Sequence, residues 1–258
     1  MSFHWEMLSD SRRNDAYRAA ILETAPGRVV YDVGAGVGPM SLYALQAGAR
    51  RVYGIEADRD AYQQLRRLGR RFPQFVPIRG DAVRGPLPGE PPDVVVCEMW
   101  SSWLSDWPMV QALNRFRRYA PRCTVIPVRG HHVLQLGYAD HGVGPELDFP
   151  PGTYAAIFGE PGAIEEMSLP VLAATTDFNR TIAPIDTTVS LTPLASGAVN
   201  TLRLWSYEEV RDGHPSPRAG TRGDVLIRWI RPVRVTRGRR VRVRIRHRWD
   251  VGFRVAVL

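Results

Sequence analysis

Residues 31–40 read YDVGAGVGPM. A β-rich run, RVVYDVG, leads into them, and a helix-like run, MSLYALQAGA, leaves them and ends at Gly48. Three glycines, Gly34, Gly36 and Gly38, stand at alternate positions behind Asp32. A glycine-rich turn between a strand and a helix lets the backbone approach a ligand closely. It also restricts the fold, because the strand must lie where a helix can pack back against its sheet.

The segments that follow obey that restriction. RRVYGIEAD is a second strand with an acidic end, and FVPIRGDA and PDVVVCEM are two further strand candidates. Between them RDAYQQLRRLGRRF carries Tyr62, Leu65 and Leu68 on one helical face. Strands alternating with helices predict a parallel sheet covered by helices, a Rossmann-like domain over residues 1–126.

From about Pro127 the pattern changes. HHVLQLGYA, NTLRLWSYEEV, DVLIRWI, RRVRVRIRHRW and GFRVAVL are β-branched runs separated by Gly/Pro turns. They predict an antiparallel β-barrel-like domain over residues 127–258. RRVRVRIRHR alternates strictly. Arg240, Arg242, Arg244, Arg246 and Arg248 fall on one face, and Val241, Val243, Ile245 and His247 on the other. His247 is expected to be packed inward. The Gly/Pro-rich stretch 139–168 has no clear periodicity.

Composition sets limits. The chain has 258 residues, a formal charge of +8 and no lysine, so every basic side chain except histidine is arginine. That excess reflects either a GC-rich genome or an acidic partner such as nucleic acid or an acidic peptide, and the 240–248 arginine row is either a solvated outer face or a docking stripe for an acidic chain. No apolar run approaches the roughly 20 residues of a membrane span, so no membrane partner is expected. MSFHWEMLSDSRR lacks a secretory pattern. Two cysteines, Cys97 and Cys123, make neither a disulfide framework nor a metal site. The expectation is a cytoplasmic protein without metal.

The turn's spacing is G-x-G-x-G, not the G-x-G-x-x-G of a dinucleotide fingerprint, which disfavours a nicotinamide-dependent oxidoreductase. Glu56 lies eighteen residues past Gly38, at the end of the second strand, where a carboxylate can accept ribose hydroxyls. Asp81 ends the third strand, either as a ligand to a nucleobase or as a helix N-cap.

The pattern D-x-G-x-G-x-G resembles the first motif of class I S-adenosyl-L-methionine-dependent methyltransferases. The segment HWEMLSDSRRNDAYRAAI, residues 4–21, resembles the H-x-x-M-L-x-D-x-x-R segment of protein arginine methyltransferases. The likeness continues through VYDVGAGVGPMSLYALQAGARRVYGIEAD and DVVVCEMWSSWLSDWPMV. It implies that His4 and Met7 pack near S-adenosyl-L-methionine and that Arg13 pairs with its carboxylate, a bidentate fit. It also implies cofactor contacts from Asp32, Gly34, Ala35, Gly36, Glu56, Ala57, Asp81, Ala82 and Glu98.

In that family two glutamates nine residues apart grip the acceptor guanidinium. Glu98 matches the first. The second position falls on Trp107, with Asp106 beside it. Either Asp106 takes over after a one-residue shift, or the second carboxylate is absent. Trp100, Trp103 and Trp107 crowd the same loop as candidate walls for a cationic acceptor, or as plain packing. The family's T-H-W loop should lie near residues 220–224, where GTRGD stands instead. Its dimerisation arm is shortened to roughly 139–168, with a homodimer as the implied assembly.

The resemblance implies an N-methyltransferase acting on a guanidino or related nitrogen of a small molecule or peptide, of the tailoring type. The alternatives are a methyltransferase-fold binding module with little catalysis, and a methyltransferase with an oxygen or carbon acceptor.

Overall fold

The computed structural model describes residues 8–105, 107–139, 156–159, 164–215 and 224–258. His4, Met7, Asp106 and the GTRG of the expected T-H-W position lie outside these residues, as does most of the 139–168 stretch. The side chain of Trp107 also lies outside the description.

The N-terminal half is a five-stranded parallel sheet of order β3-β2-β1-β4-β5. Its strands are β1 (Val29–Val33), β2 (Arg51–Glu56), β3 (Phe75–Arg79), β4 (Val94–Cys97) and β5 (Thr124–Ile126). All five residues of β1 and all four of β4 are buried, as strands covered on both faces must be. The chain builds outward from β1 through β2 to β3, then crosses back to place β4 on the other side of β1. That reversal opens a crevice at the carboxyl ends of β1 and β4, the position where open α/β sheets bind ligands.

Four helices of eight or more residues are described: α1 (Ser11–Thr24), α2 (Pro39–Gln46), α3 (Arg59–Arg71) and α4 (Trp107–Tyr119). Asp10 caps α1 by accepting the Arg13 N–H at 3.1 Å. Asp58 caps α3 by accepting from Asp60 and Ala61 at 3.0 and 2.8 Å. On α3, Leu65 is buried and Leu68 packs against the same cluster, whereas Tyr62 stays half-exposed outside it. The buried member beside Leu65 is Ala61.

The C-terminal half is antiparallel. A sheet of order β7-β13-β11-β6-β8 comprises β6 (Arg129–Tyr138), β7 (Ala156–Gly159), β8 (Glu165–Glu166), β11 (Gly197–Arg211) and β13 (Asp224–Val235). β9 (Val171–Asp177) pairs with β6, and β12 (His214–Pro215) with β11. A second sheet of order β10-β14-β15 holds β10 (Ile185–Leu191), β14 (Val241–Arg248) and β15 (Gly252–Val257). Leu134, Leu136, Leu202, Leu204, Val225, Ile227, Val243 and Ile245 form one core between the two sheets. β14 alternates as its sequence demands. Val243, Ile245 and His247 are buried, and Arg242, Arg246 and Arg248 exposed.

The halves share cores. Val210 at the end of β11 packs with Tyr17 and Ile21 of α1, and Arg211 pairs with Glu23. On the other side, Phe178 and Ile182 join Phe116 of α4 in a second cluster. Asn114 exchanges two hydrogen bonds with the Ile182 backbone, at 3.0 and 2.7 Å. α1 is therefore fixed between the parallel sheet and the barrel strand β11.

Candidate active site

The site is built at the carboxyl ends of β1 to β4. Gly34, Gly36 and Gly38 have φ of 72°, 55° and 94°, a left-handed region that side chains with a Cβ avoid. Gly38 also has Leu65 Cδ2 only 2.8 Å from where a Cβ would stand. The turn is stitched to β2: Gly34 and Ala35 both donate to the Ile55 carbonyl at 3.0 Å. Glu56 completes the stitch. One carboxylate oxygen accepts Gly36 N–H at 2.8 Å and the other accepts Asp58 N–H at 2.7 Å. Two backbone donors thus hold Glu56 in place. Each carboxylate oxygen has a second lone pair for a hydroxyl.

Asp32 lies beneath the turn at 2% exposure. Its Oδ2 accepts both the N–H and the hydroxyl of Ser41, at 2.8 and 2.6 Å. It thereby satisfies an otherwise orphaned donor in the first turn of α2. Burial pushes its carboxyl up to about 6; the Ser41 donors oppose the shift and nearby Glu56 adds to it. In the unfolded chain an aspartate releases its proton near pH 4. The native state therefore binds more protons between about pH 4 and about pH 6. The contribution of Asp32 to stability therefore falls as pH rises through that interval and is flat above it. The loss amounts to roughly 3 kcal/mol. Asp32→Asn is expected to remove this slope, as read by urea unfolding at a series of pH values.

A cavity of about 540 Å³ opens in front of these groups, within the usual range for small-molecule sites. It is lined by Arg13, Asp32, Gly34, Ala35, Gly36, Glu56, Ala57, Asp81, Ala82 and Glu98, every sequence-predicted cofactor residue that is described. Asp81 faces the cavity and accepts the Val83 N–H at 2.7 Å within a turn; no helix begins there, so its reading as an N-cap is corrected.

Sequence reasoning missed several apolar walls, among them Leu8, Met99 and Pro108. Met99 approaches the turn so closely that its Cγ would stand 2.6 Å from a Cβ on Gly34. Its position directly after Glu98 was the only available signal, since wall residues follow no periodicity of their own.

Arg13 enters from α1, 3% exposed. Its Nη1 stands 3.3 Å from Glu98 Oε2, and its Nη2 donates to Asn14 Oδ1 at 3.0 Å. Its Nε is buried without a hydrogen-bond partner among the described residues. A buried guanidinium with one unmet donor, on the wall of a cavity, is suited to a carboxylate that arrives with a ligand. The residues ahead of α1 are held by Asn14, which donates to the Leu8 carbonyl at 2.9 Å.

The three tryptophans separate. Trp100 is 8% exposed and lines the cavity. Its ring meets Phe178 edge-on at 5.6 Å and lies nearly parallel to His132 at 6.1 Å. It fits because residue 130 is glycine, where a Cβ would stand 2.4 Å from Trp100 Cη2. Trp103 is not a cavity wall, and its expected role in holding the acceptor is corrected. It is fully buried and belongs to the barrel core. Its ring N–H donates to the Val133 carbonyl at 2.9 Å, and its backbone N–H to Ser206 at 2.8 Å. Apolar area and a satisfied indole donor favour this burial over a water-facing position.

Buried His132 joins Ser206 and Thr176 at 2.9 Å each. Burial pulls its pKa down to about 3, so it is a neutral structural link. His247 is packed inward as expected, stacked on Phe253 at 4.1 Å. Burial pushes the Cys97 thiol up to about 12, which makes it inert. No group of metal-ligating side chains occurs among the described residues. No described helix is long and apolar enough to cross a membrane.

A parallel sheet with this strand order, a glycine turn after β1 and carboxylates at the ends of β1, β2, β3 and β4 defines a class I methyltransferase fold. The methyltransferase domain family matches residues 30–120. Protein arginine N-methyltransferase 6 of Danio rerio is 44% identical over 69 residues, 26% of this chain and 20% of its own length. Probable histone-arginine methyltransferase CARM1 of Oryza sativa subsp. indica is 36% identical over 135 residues, 48% of this chain and 25% of its own. The chain thus spans a fifth to a quarter of the length of these curated relatives. The PRMT1 enzyme–prozyme heterotetrameric complex of Trypanosoma brucei with AdoHcy has the same fold. It aligns with a TM-score of 0.79 at 19% identity, over 99% of this chain and 92% of that one.

By fold and by the sequence of its first half, the chain resembles protein arginine methyltransferases, and residues 30–120 match a methyltransferase domain. Its cavity fits the cofactor of that class, S-adenosyl-L-methionine. Glu56 and Arg13 both line it, and their carboxylate and guanidinium are group types that would meet ribose hydroxyls and an amino-acid carboxylate.

Proposed function

We propose that the protein transfers a methyl group from S-adenosyl-L-methionine to a guanidino or related nitrogen of a small molecule or peptide. Residues 1–126 bind the cofactor and residues 127–258 help form the acceptor side. The observation that carries this reading is Glu98. It is a carboxylate 8% exposed, held by Arg13 at 3.3 Å, on the cavity wall beside Trp100.

When bound, the cofactor supplies an electrophilic methyl group on a sulfonium. Arg13 orients the amino-acid end through its Nε edge, and Glu56 the ribose. Glu98 accepts hydrogen bonds from a cationic acceptor and localises its charge, leaving the opposite nitrogen nucleophilic. Met99, Trp100, Pro108 and Leu8 exclude water, so the gain comes mainly from positioning and desolvation. The acceptor's proton leaves after transfer, so no dedicated general base is required.

The experiment is incubation with methyl-labelled cofactor and a panel of arginine, agmatine, arginine peptides and simple amines. Label on a guanidino nitrogen is the expected result. Label on oxygen or carbon acceptors only would overturn the nitrogen assignment. A second reading, a binding module without turnover, is favoured by Trp107 at the second glutamate position. Cofactor binding by calorimetry with no labelled product from any acceptor would support it. The reading also carries self-association, as a homodimer, checked by sedimentation.

A further inference from the structure

The outer face of the β10-β14-β15 sheet contributes nothing to the cavity, and its chemistry is distinct. Arg242, Arg244, Arg246 and Arg248 project from β14 on the side opposite the buried Val243, Ile245 and His247. Arg254 of β15 stands directly across from Arg246, so it shares their face. Like charges placed opposite one another destabilise a sheet, so folding gives no reason for this pairing. The remaining positions are small: Thr188 and Ser190 oppose Arg244 and Arg242 on one side, and Ala256 opposes Arg244 on the other. The arginines therefore form a ridge with low flanks. Two carboxylates, Asp186 and Asp250, lie on it beside five arginines, leaving +3 of the chain's +8 on this face.

Those two carboxylates show how the ridge binds anions. Arg244 grips Asp186 with Nε and Nη2, both at 2.8 Å. Arg248 grips Asp250 in the same forked way, at 3.0 and 2.6 Å. Arg246 adds a third contact to Asp186 at 3.1 Å. Arg242 and Arg254 make no ion pair among the described residues.

We propose that this arginine ridge docks an extended acidic polypeptide segment with Asp or Glu at alternate positions. Successive ridge arginines are spaced at about 6.8 Å, the repeat of alternate side chains in any extended strand. A strand laid along the ridge therefore presents each of its outward carboxylates to a guanidinium. The fork geometry already made with Asp186 and Asp250 is the geometry it would use. A nucleic-acid strand is disfavoured because, among the described residues, no aromatic side chain stands on this face to stack a base. The flat sheet also offers no element to enter a groove. The inference is independent of the methyl-transfer reading.

The test is fluorescence anisotropy with a labelled alternating Glu-Thr peptide long enough to span the ridge. An oligonucleotide of equal charge serves as the competitor class. Arg242→Gln combined with Arg254→Gln should weaken peptide binding by at least about tenfold, while the melting temperature holds or rises as the Arg246–Arg254 repulsion is relieved. Asp186→Asn should act oppositely and tighten binding, because it releases Arg244 and Arg246 from their internal partner. A structural role for the ridge would not produce that tightening. Peptide affinity indifferent to both variants would overturn the proposal. So would an oligonucleotide that binds more tightly than the peptide and is weakened by the same double substitution.

Discussion

Glu98→Gln is expected to retain the cofactor and lose methyl transfer by at least tenfold in kcat/KM, about 1.4 kcal/mol or more of transition-state stabilisation. The amide keeps the shape of the side chain but removes the charge that localises a cationic acceptor. It also releases Arg13, whose Nη1 now stands 3.3 Å from Glu98, toward the cofactor carboxylate. Cofactor affinity should therefore hold or rise while turnover falls. Arg13→Gln should show the opposite pattern. Losing a charge-assisted contact of about 1.5–3 kcal/mol weakens cofactor binding by roughly 10–100-fold. Each of the two variants leaves the other charge buried beside a neutral amide, so both should lose stability. Calorimetry with the demethylated cofactor and labelled transfer assays on both variants separate the two roles. Equal losses of binding in both would show that Glu98 serves the cofactor rather than the acceptor.

The parallel half of the molecule was legible because its signals are local and agree. β4 is an unbroken apolar run and β1 is interrupted only by Asp32, Asp58 is a good cap ahead of α3, and the glycine turn has little alternative to a strand-to-helix bend. Strand order is different in kind. That β4 returns to the other side of β1 is a long-range property, and it puts Glu98 of the β4 end in the same cavity as the glycine turn. The alternation of β14 was likewise visible, because one buried face enforces a period of two. The pairing of the fifteen-residue β11 with β6 on one side and β13 on the other was not. Each run contains enough β-branched residues to pair with several others.

Within the site, charged residues were easier to place than apolar ones. Asp32, Glu56 and Glu98 stood out because a carboxylate at a strand end has few structural reasons to be there. Met99 and Leu8 gave no such sign. Gly130 shows the same limit. Its lack of a Cβ leaves space for Trp100, a residue thirty positions away, and nothing near it in sequence announces the contact. The tryptophans were ambiguous for a related reason: Trp100 and Trp103 lie three residues apart in one loop, yet one reaches the cavity and the other the barrel core.

That division makes Trp103 the site of the largest expected loss of stability. Trp103 and Leu104 hold φ of 57° and 53°, a left-handed conformation that costs a bulky residue about 1–3 kcal/mol and persists only where its surroundings enforce it. Here two hydrogen bonds to Ser206 and Val133 and complete burial in the barrel core enforce it. Trp103→Ala removes the packed ring and the indole donor, leaves the Val133 carbonyl short of a partner, and keeps the unfavourable φ. The expected cost is about 3–5 kcal/mol, a large share of the roughly 5–15 kcal/mol that holds a typical domain folded. Because the loop also carries Glu98 and Trp100, its release should lower acceptor turnover more than cofactor affinity. Urea unfolding and cofactor calorimetry on the variant, both below its unfolding midpoint, measure the two effects separately. Wild-type stability in Trp103→Ala would mean that the loop's conformation is set by contacts other than this side chain.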